Sequence, residues 1–96
     1  MAKVRFTPRA LEQLGDIWQF IAEDNEAAAD KLYWRMREHI ALAAENPGIG
    51  VERIPTKQGI RSLVVGAYLI FYEQEPGGIV VLAVVHGMRE PKSWLD

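Results

Sequence analysis

The 96-residue sequence contains no cysteine, which excludes disulfide bonds and thiolate metal sites. Its two histidines, His39 and His86, are too few for a metal site without help from carboxylates. No apolar run reaches the roughly 18 residues that span a membrane, and the N-terminus, MAKVRFTPRA, lacks the apolar segment of a secretory signal. We therefore expect one cytoplasmic domain over residues 1–96 that uses no metal and no cofactor.

Excess positive charge is also missing. The net charge is −2, with six Lys/Arg against eight Asp/Glu in residues 1–48 and five of each in residues 49–96. Proteins that bind long stretches of nucleic acid are usually basic, because neutralising phosphates supplies much of their affinity. The composition thus argues against extended nucleic-acid binding and is compatible with a protein partner.

The first half of the chain predicts a strand and two helices. Val4 and Phe6 alternate with Lys3 and Arg5, as in a short strand. Thr7-Pro8 is a helix start, and Asn25 is a second one. Apolar residues recur at helical spacing from Ala10 to Ile21 and from Ala29 to Ala43, and the second stripe ends at Asn46-Pro47-Gly48. The short connection predicts an antiparallel helical hairpin.

Trp34 lies about 200° around its helix from Leu32, so it is either a rim aromatic or a partner contact.

The second half predicts an antiparallel β-meander. Strands are expected at residues 60–65, 68–73 and 79–85, with reversals at Gly66-Ala67 and Pro76-Gly77-Gly78. The apolar run 79–85 does not alternate, which indicates that both sheet faces are covered. Two helices cover one face, so the C-terminal tail, a second copy or another protein is expected to cover the other.

The order of these elements resembles the ParE/RelE superfamily of type II toxins. The resemblance depends on FTPRALEQLGDIWQFIAEDN, on ENPGIG, and on GIRSLVVGAYLIFYEQE followed by IVVLAVVHGMRE. It implies an α+β fold with an N-terminal strand and an antiparallel helical hairpin packed on the C-terminal meander. The ParE-like branch, with its long hairpin, is favoured over the RelE-like branch.

The resemblance implies a toxin that a cognate antitoxin neutralises. ParE-like members inhibit DNA gyrase by protein contact, whereas RelE-like members are ribosome-dependent messenger RNA interferases. A toxin homodimer and a heterotetramer of two toxins and two antitoxins are both left open. For the antitoxin we expect contacts on the apolar meander and the hairpin, at Leu69, Phe71, Val81 and Trp34.

Polar residues at the ends of the meander are the candidates for target contact. These are Arg61, His86 and Arg89, together with Trp94 near the C-terminus. Arg61, His86 and Arg89 would also be the catalytic candidates of a ribonuclease, which needs a base, an acid and cations at the phosphate. The basic residues just before the meander, which could help to bind the phosphate, are only Arg53 and Lys57. The side chains of Trp94 and Leu95 near the C-terminus cannot transfer protons. The acid–base set is incomplete, and no catalytic residue is assigned.

Each of these residues also has a structural interpretation. Arg61 could pair with Glu73 or another carboxylate, and His86 could be a hydrogen-bonded residue at a strand end. Tyr68 and Tyr72 alternate on one face of a strand, which is typical of packing residues. His39, beside Glu38 in a helix, is expected at the surface.

Overall fold

A mixed five-stranded sheet carries two helices. The computed structural model describes residues 2–52 and 59–87. The elements are β1 (Lys3–Phe6), α1 (Pro8–Ala22), α2 (Glu26–Glu45), a 3₁₀ turn (Pro47–Ile49), β2 (Val51–Glu52), β3 (Ile60–Val65), β4 (Tyr68–Glu75) and β5 (Gly78–His86). The sheet order is β1-β5-β4-β3-β2, with β1 parallel to β5 and the other pairs antiparallel. The predicted α+β fold is confirmed, and β1 closes the β5 side of the meander.

Both helices begin at the predicted caps. The Thr7 hydroxyl accepts a hydrogen bond from Ala10 N at 3.1 Å and Pro8 opens α1. The Asn25 side chain accepts one from Ala28 N at 3.0 Å at the start of α2. Each cap satisfies a backbone N–H that has no partner inside the helix, which typically stabilises it by about 1 kcal/mol.

The main core lies between the hairpin and one face of the sheet. It contains the buried residues Ala10, Leu14, Met36, Ile40, Ala43, Ala44, Leu63, Val65, Ile70, Tyr72, Ile79, Val81 and Val84. The helical stripes predicted from the sequence supply the helix side of this core. Trp18 lies beside it, where its Nε1 donates to Asp30 Oδ1 at 2.8 Å and joins α1 to α2.

A β-bulge in β5 explains its unbroken apolar run. Phe71 pairs with Ala83 and Tyr72 with Val81, which leaves Leu82 as an extra residue. The extra residue shifts the alternation, so that Val81 and Val84 both pack in the main core. The Leu82 carbonyl accepts a hydrogen bond from the Thr7 hydroxyl at 3.0 Å, so the cap of α1 also holds the bulge.

The second face of the sheet forms a smaller buried cluster of Ile60, Leu69, Phe71, Ala83 and Val85. Phe71 is 0% exposed and Leu69 is 6% exposed in the single chain. These side chains are therefore not exposed in the single chain, and the predicted antitoxin contact at Leu69 and Phe71 stays a prediction. Removing them from water does not require a second copy or another protein.

Candidate functional site

A solvent-open groove runs between α1 and α2. Its volume is about 440 Å³, and it is lined by Leu11, Leu14, Gly15, Trp18, Asp30, Tyr33, Trp34 and Arg37. All of these residues belong to the two helices, so the hairpin alone forms the groove. The capped helix starts and the Trp18–Asp30 hydrogen bond fix the two walls relative to each other.

The walls of the groove are apolar and unusually exposed. Leu11 is 55% exposed and Trp34 is 62% exposed. Trp34 contacts the Tyr33 ring edge to face at 5.2 Å between ring centroids. Gly15 leaves a gap in the groove between Leu11 and Trp34, since a Cβ built at Gly15 would meet nothing within 4 Å. An exposed aromatic beside a gap of this size is typical of a surface that contacts another protein.

Two opposite charges lie on the α2 wall. Asp30 accepts the Trp18 hydrogen bond, and Arg37 stands seven residues further along α2. The Arg37 guanidinium lies 5.1 Å from the centroid of the Phe6 ring and donates from Nη1 to the Tyr33 hydroxyl at 3.1 Å. These contacts hold each charge in place, about 10 Å apart along the helix axis.

The groove suits recognition and offers little for catalysis. Its shallow shape and apolar walls fit the apolar stripe of a helix, as in helix-in-groove recognition. Its polar groups are one carboxylate, one guanidinium, two indoles and one phenol. The carboxylate, the guanidinium, the phenol and the Trp18 indole already form hydrogen bonds within the hairpin. The arrangement favours a polypeptide ligand over a small substrate.

Arg61 has a structural partner. Its Nη1 donates to the carbonyl of Gly50 at 2.8 Å, and its side chain is half-buried. Among residues 2–52 and 59–87 no carboxylate pairs with Arg61, Glu73 included, and the ion pair found there joins Arg5 and Glu75. Arg61 fastens the segment that follows α2 to the sheet.

His86 lies far from Arg61. His86 pairs with Tyr68 and Arg61 pairs with Tyr72, so the two partners are four residues apart on β4. At about 3.3 Å per residue the separation along the strand is about 13 Å. The His86 and Tyr68 rings meet edge to face at 5.3 Å between centroids. The described structure therefore does not bring Arg61 and His86 into one site.

The other predicted site residues fall into three groups. Arg89 and Trp94 lie outside the described residues, as do Arg53 and Lys57. Leu69, Phe71 and Val81 are buried, and Val81 faces the helices. Trp34 is the one predicted contact of the described chain that is largely exposed. The exposure assumed for the three buried residues is not observed, and their contact with an antitoxin stays a prediction.

Sequence reasoning missed most of the groove. The apolar residues from Ala10 to Ile21, which include Leu11 and Trp18, predict one helical stripe and do not by themselves indicate a groove. The signal was present in their spacing: residues 11, 15 and 18 follow one another at helical intervals on a flank beside Ala10 and Leu14.

Within the described part of the chain, neither helix is long and apolar enough to cross a membrane. Residues 2–52 and 59–87 also contain no group of three or more His, Asp or Glu side chains placed to hold a metal ion.

Comparisons with known proteins indicate the fold and the family of the chain. A solved structure described as the chromosomal ParDE TA system from P. aeruginosa superposes with a TM-score of 0.71 at 18% sequence identity. The match covers 90% of this chain and 96% of that one, and it shows the shared fold. No curated protein matches by sequence. The family model for the ParE toxin of the type II toxin–antitoxin system parDE matches residues 4–91. The chain belongs to this ParE toxin family.

Proposed function

We propose that this ParE-family toxin inhibits DNA gyrase by protein–protein contact in the cytoplasm and that a cognate antitoxin neutralises it. The observation that carries the proposal is the exposed aromatic groove of the helical hairpin, in a chain that the ParE family model covers over residues 4–91. Gyrase inhibition by contact needs a recognition surface and no bond-breaking residues, and we assign that role to the groove.

The polar residues support contact over catalysis. A ribonuclease mechanism needs its base, acid and phosphate-binding cations within hydrogen-bond reach of one phosphate. Arg61 and His86 are about 13 Å apart along the strand direction, and Arg61 already donates to the Gly50 carbonyl. Among residues 2–52 and 59–87 these two candidates therefore cannot act on the same phosphate.

The antitoxin is expected to contact the hairpin at Trp34. The indole is 62% exposed and stands beside the gap over Gly15. Large exposed aromatics bordering a gap often become the residues that dominate binding energy. The P. aeruginosa structure is described as a ParDE system, which is the support for assigning a cognate antitoxin to this chain.

Induced expression in a bacterial host tests the proposal. Growth is expected to stop, plasmid DNA is expected to lose negative supercoils, and messenger RNA is expected to stay intact. Growth arrest with messenger RNA cut at ribosomes would overturn the gyrase proposal. Normal growth with folded protein present would overturn the toxin activity itself.

A matched folding control uses Gly78. A Cβ at this position would collide with the backbone of Lys3 on the neighbouring strand β1. Gly78→Val is therefore expected to break the β1–β5 pairing and to abolish growth arrest. Arrest that persists with this variant would indicate an effect of overexpression and not of the folded toxin.

A further inference from the structure

We propose that the groove face of the hairpin is also a self-association surface, on which a second copy of this chain packs the same face with α2 against α2. The docking is isologous: each copy contributes the same surface, and the two are related by a two-fold axis. The proposal rests on the distribution of charge and shape along the groove and does not depend on the gyrase target.

The charges on α2 are self-complementary. Asp30 and Arg37 both line the groove, with Tyr33 and Trp34 midway between them. A two-fold axis that crosses α2 between Tyr33 and Trp34 makes the two α2 helices antiparallel. Asp30 of each copy then lies opposite Arg37 of the other, so the pair of copies forms both contacts at once. Opposite charges at matched positions set orientation and suppress wrong pairings.

The shape of the groove complements the same arrangement. Trp34 projects from α2 with 62% of its surface exposed, and the neighbouring gap lies over Gly15. The antiparallel placement brings Trp34 of one copy toward the groove of the other, where the gap gives the indole room. Leu11, 55% exposed, supplies apolar wall on the far side. The resulting four helices pack as a small bundle across the axis.

The size of the surface sets the expected strength. α1 has 15 residues and α2 has 20, so the hairpin is about 22–30 Å long and about 20 Å wide. Each copy can bury roughly 500 Å², which is at the low end of specific interfaces. We therefore expect a reversible dimer with a dissociation constant in the micromolar range.

Self-association and antitoxin binding would exclude each other at Trp34. This consequence rests on the antitoxin contact proposed above, whereas the dimer itself does not. Free toxin at high concentration would cover its groove with a second copy, and antitoxin would displace that copy. The groove would then control how much monomeric toxin is available.

Sedimentation equilibrium of the full chain, with two charge-reversal variants, tests the pairing. Asp30→Arg and Arg37→Asp each place like charges opposite each other at both contacts, and each is expected to weaken the dimer by about tenfold or more. An equimolar mixture of the two variants faces every substituted side chain with an opposite charge. The mixture is expected to form heterodimers that are tighter than the homodimer of either variant, which loss of a contact inside one hairpin cannot produce.

Two further variants separate the groove from other surfaces. Gly15→Leu fills the gap, and it is expected to fold at least as well as wild type because its Cβ meets nothing and leucine favours helix. It should abolish the dimer. Phe20→Ala removes an aromatic that is 73% exposed on α1 outside the groove, and it should leave the dimer unchanged.

Three results would overturn the proposal. The first is a wild-type chain that stays monomeric to millimolar concentration, whether or not an antitoxin binds the groove. The second is a dimer that Gly15→Leu does not weaken. The third is a pair of charge variants that are each monomeric and remain so when mixed.

Discussion

Tyr72 and Gly50 are joined by a buried hydrogen bond in which the Gly50 amide donates to the Tyr72 hydroxyl at 2.9 Å. The same hydroxyl donates to the Pro47 carbonyl at 2.7 Å. One fully buried side chain of β4 thus ties down both ends of the turn that follows α2. The turn follows the C-terminal end of the hairpin, so this contact fastens that end of α2 to the sheet.

We predict that Tyr72→Phe destabilises the protein by about 1–3 kcal/mol, because it leaves the Pro47 carbonyl and the buried Gly50 amide without a partner. Gly50→Ala should be at least as damaging, since its Cβ would lie 2.5 Å from the Tyr72 hydroxyl oxygen. Denaturant unfolding measures both. Tyr68→Phe, on the same strand and half-buried, is the control and should change stability by less than about 0.5 kcal/mol. Equal effects for Tyr72→Phe and Tyr68→Phe would contradict the assigned role of the hydroxyl.

We expect Arg61 to contribute to the stability of the fold, whether or not it also contacts the target. Arg61→Ala removes the charged donor from the Gly50 carbonyl and is expected to lower the free energy of unfolding by about 1–2 kcal/mol. Unfolding and growth arrest are measured on the same variant. Full stability together with lost toxicity would show that Arg61 contacts the target, as the sequence suggested, and that the Gly50 bond is dispensable.

Gln13 protects β5 at the point where β1 has ended. Its Oε1 accepts from the Val84 amide at 2.8 Å, immediately beyond the bulge at Leu82. Gln13→Leu should leave that amide without an acceptor and speed its hydrogen exchange by about fivefold, as expected for loss of about 1 kcal/mol. Gln19→Leu, an exposed change on the same helix, should not alter exchange at Val84. Unchanged exchange in Gln13→Leu would exclude this protection.

The Arg5–Glu75 ion pair makes a prediction about pH. Arg5 donates from Nε to Oε2 at 3.1 Å and from Nη2 to Oε1 at 2.9 Å. The hydrogen bond from Arg5 lowers the pKa of Glu75, and the hydrogen bond to Glu75 raises the pKa of Arg5. Because the pKa of Glu75 is lower in the folded state, its contribution is present above the unfolded pKa and is lost as pH falls through the folded one. The contribution is small and salt-sensitive, as for other surface pairs.

Carboxyl NMR titration measures this shift directly. Arg5→Gln should raise the pKa of Glu75 toward the ordinary glutamate value, whereas Arg9→Gln, an exposed change in α1, should leave it where it is. A Glu75 carboxyl that titrates identically in wild type and Arg5→Gln would show that the pair does not persist in solution.

The sequence allowed the helices to be predicted because their signals are local. Thr7-Pro8 and Asn25 cap the helices at the expected positions, and the apolar stripes have the helical period. The bulge at Leu82 was not predictable, because every residue around it is apolar. With no alternation of polar and apolar residues, the sequence does not show which side chains face the helices. Nor was the partner of Arg61, because a backbone carbonyl carries no residue-specific signal. The register shift in β5 and the backbone acceptor of Arg61 are therefore known only from the structure.

The groove of the candidate site was likewise not predictable from the sequence. Leu11 and Trp18 have the period of core residues, and their exposure depends on how far α2 stands from α1. The Trp18–Asp30 hydrogen bond, between residues twelve positions apart, links the two helices at this groove. A single sequence predicts that such residues are apolar and on one side of the helix, but not that they border an open groove.

Inhibition of purified DNA gyrase tests the central claim most directly. Relaxed plasmid, gyrase and ATP are incubated with increasing amounts of the folded chain, and supercoiled product is measured by gel electrophoresis. The account predicts saturable loss of supercoiling with wild-type protein and none with misfolded Gly78→Val. Full supercoiling in the presence of saturating wild-type toxin would contradict gyrase inhibition and leave only membership of the ParE family.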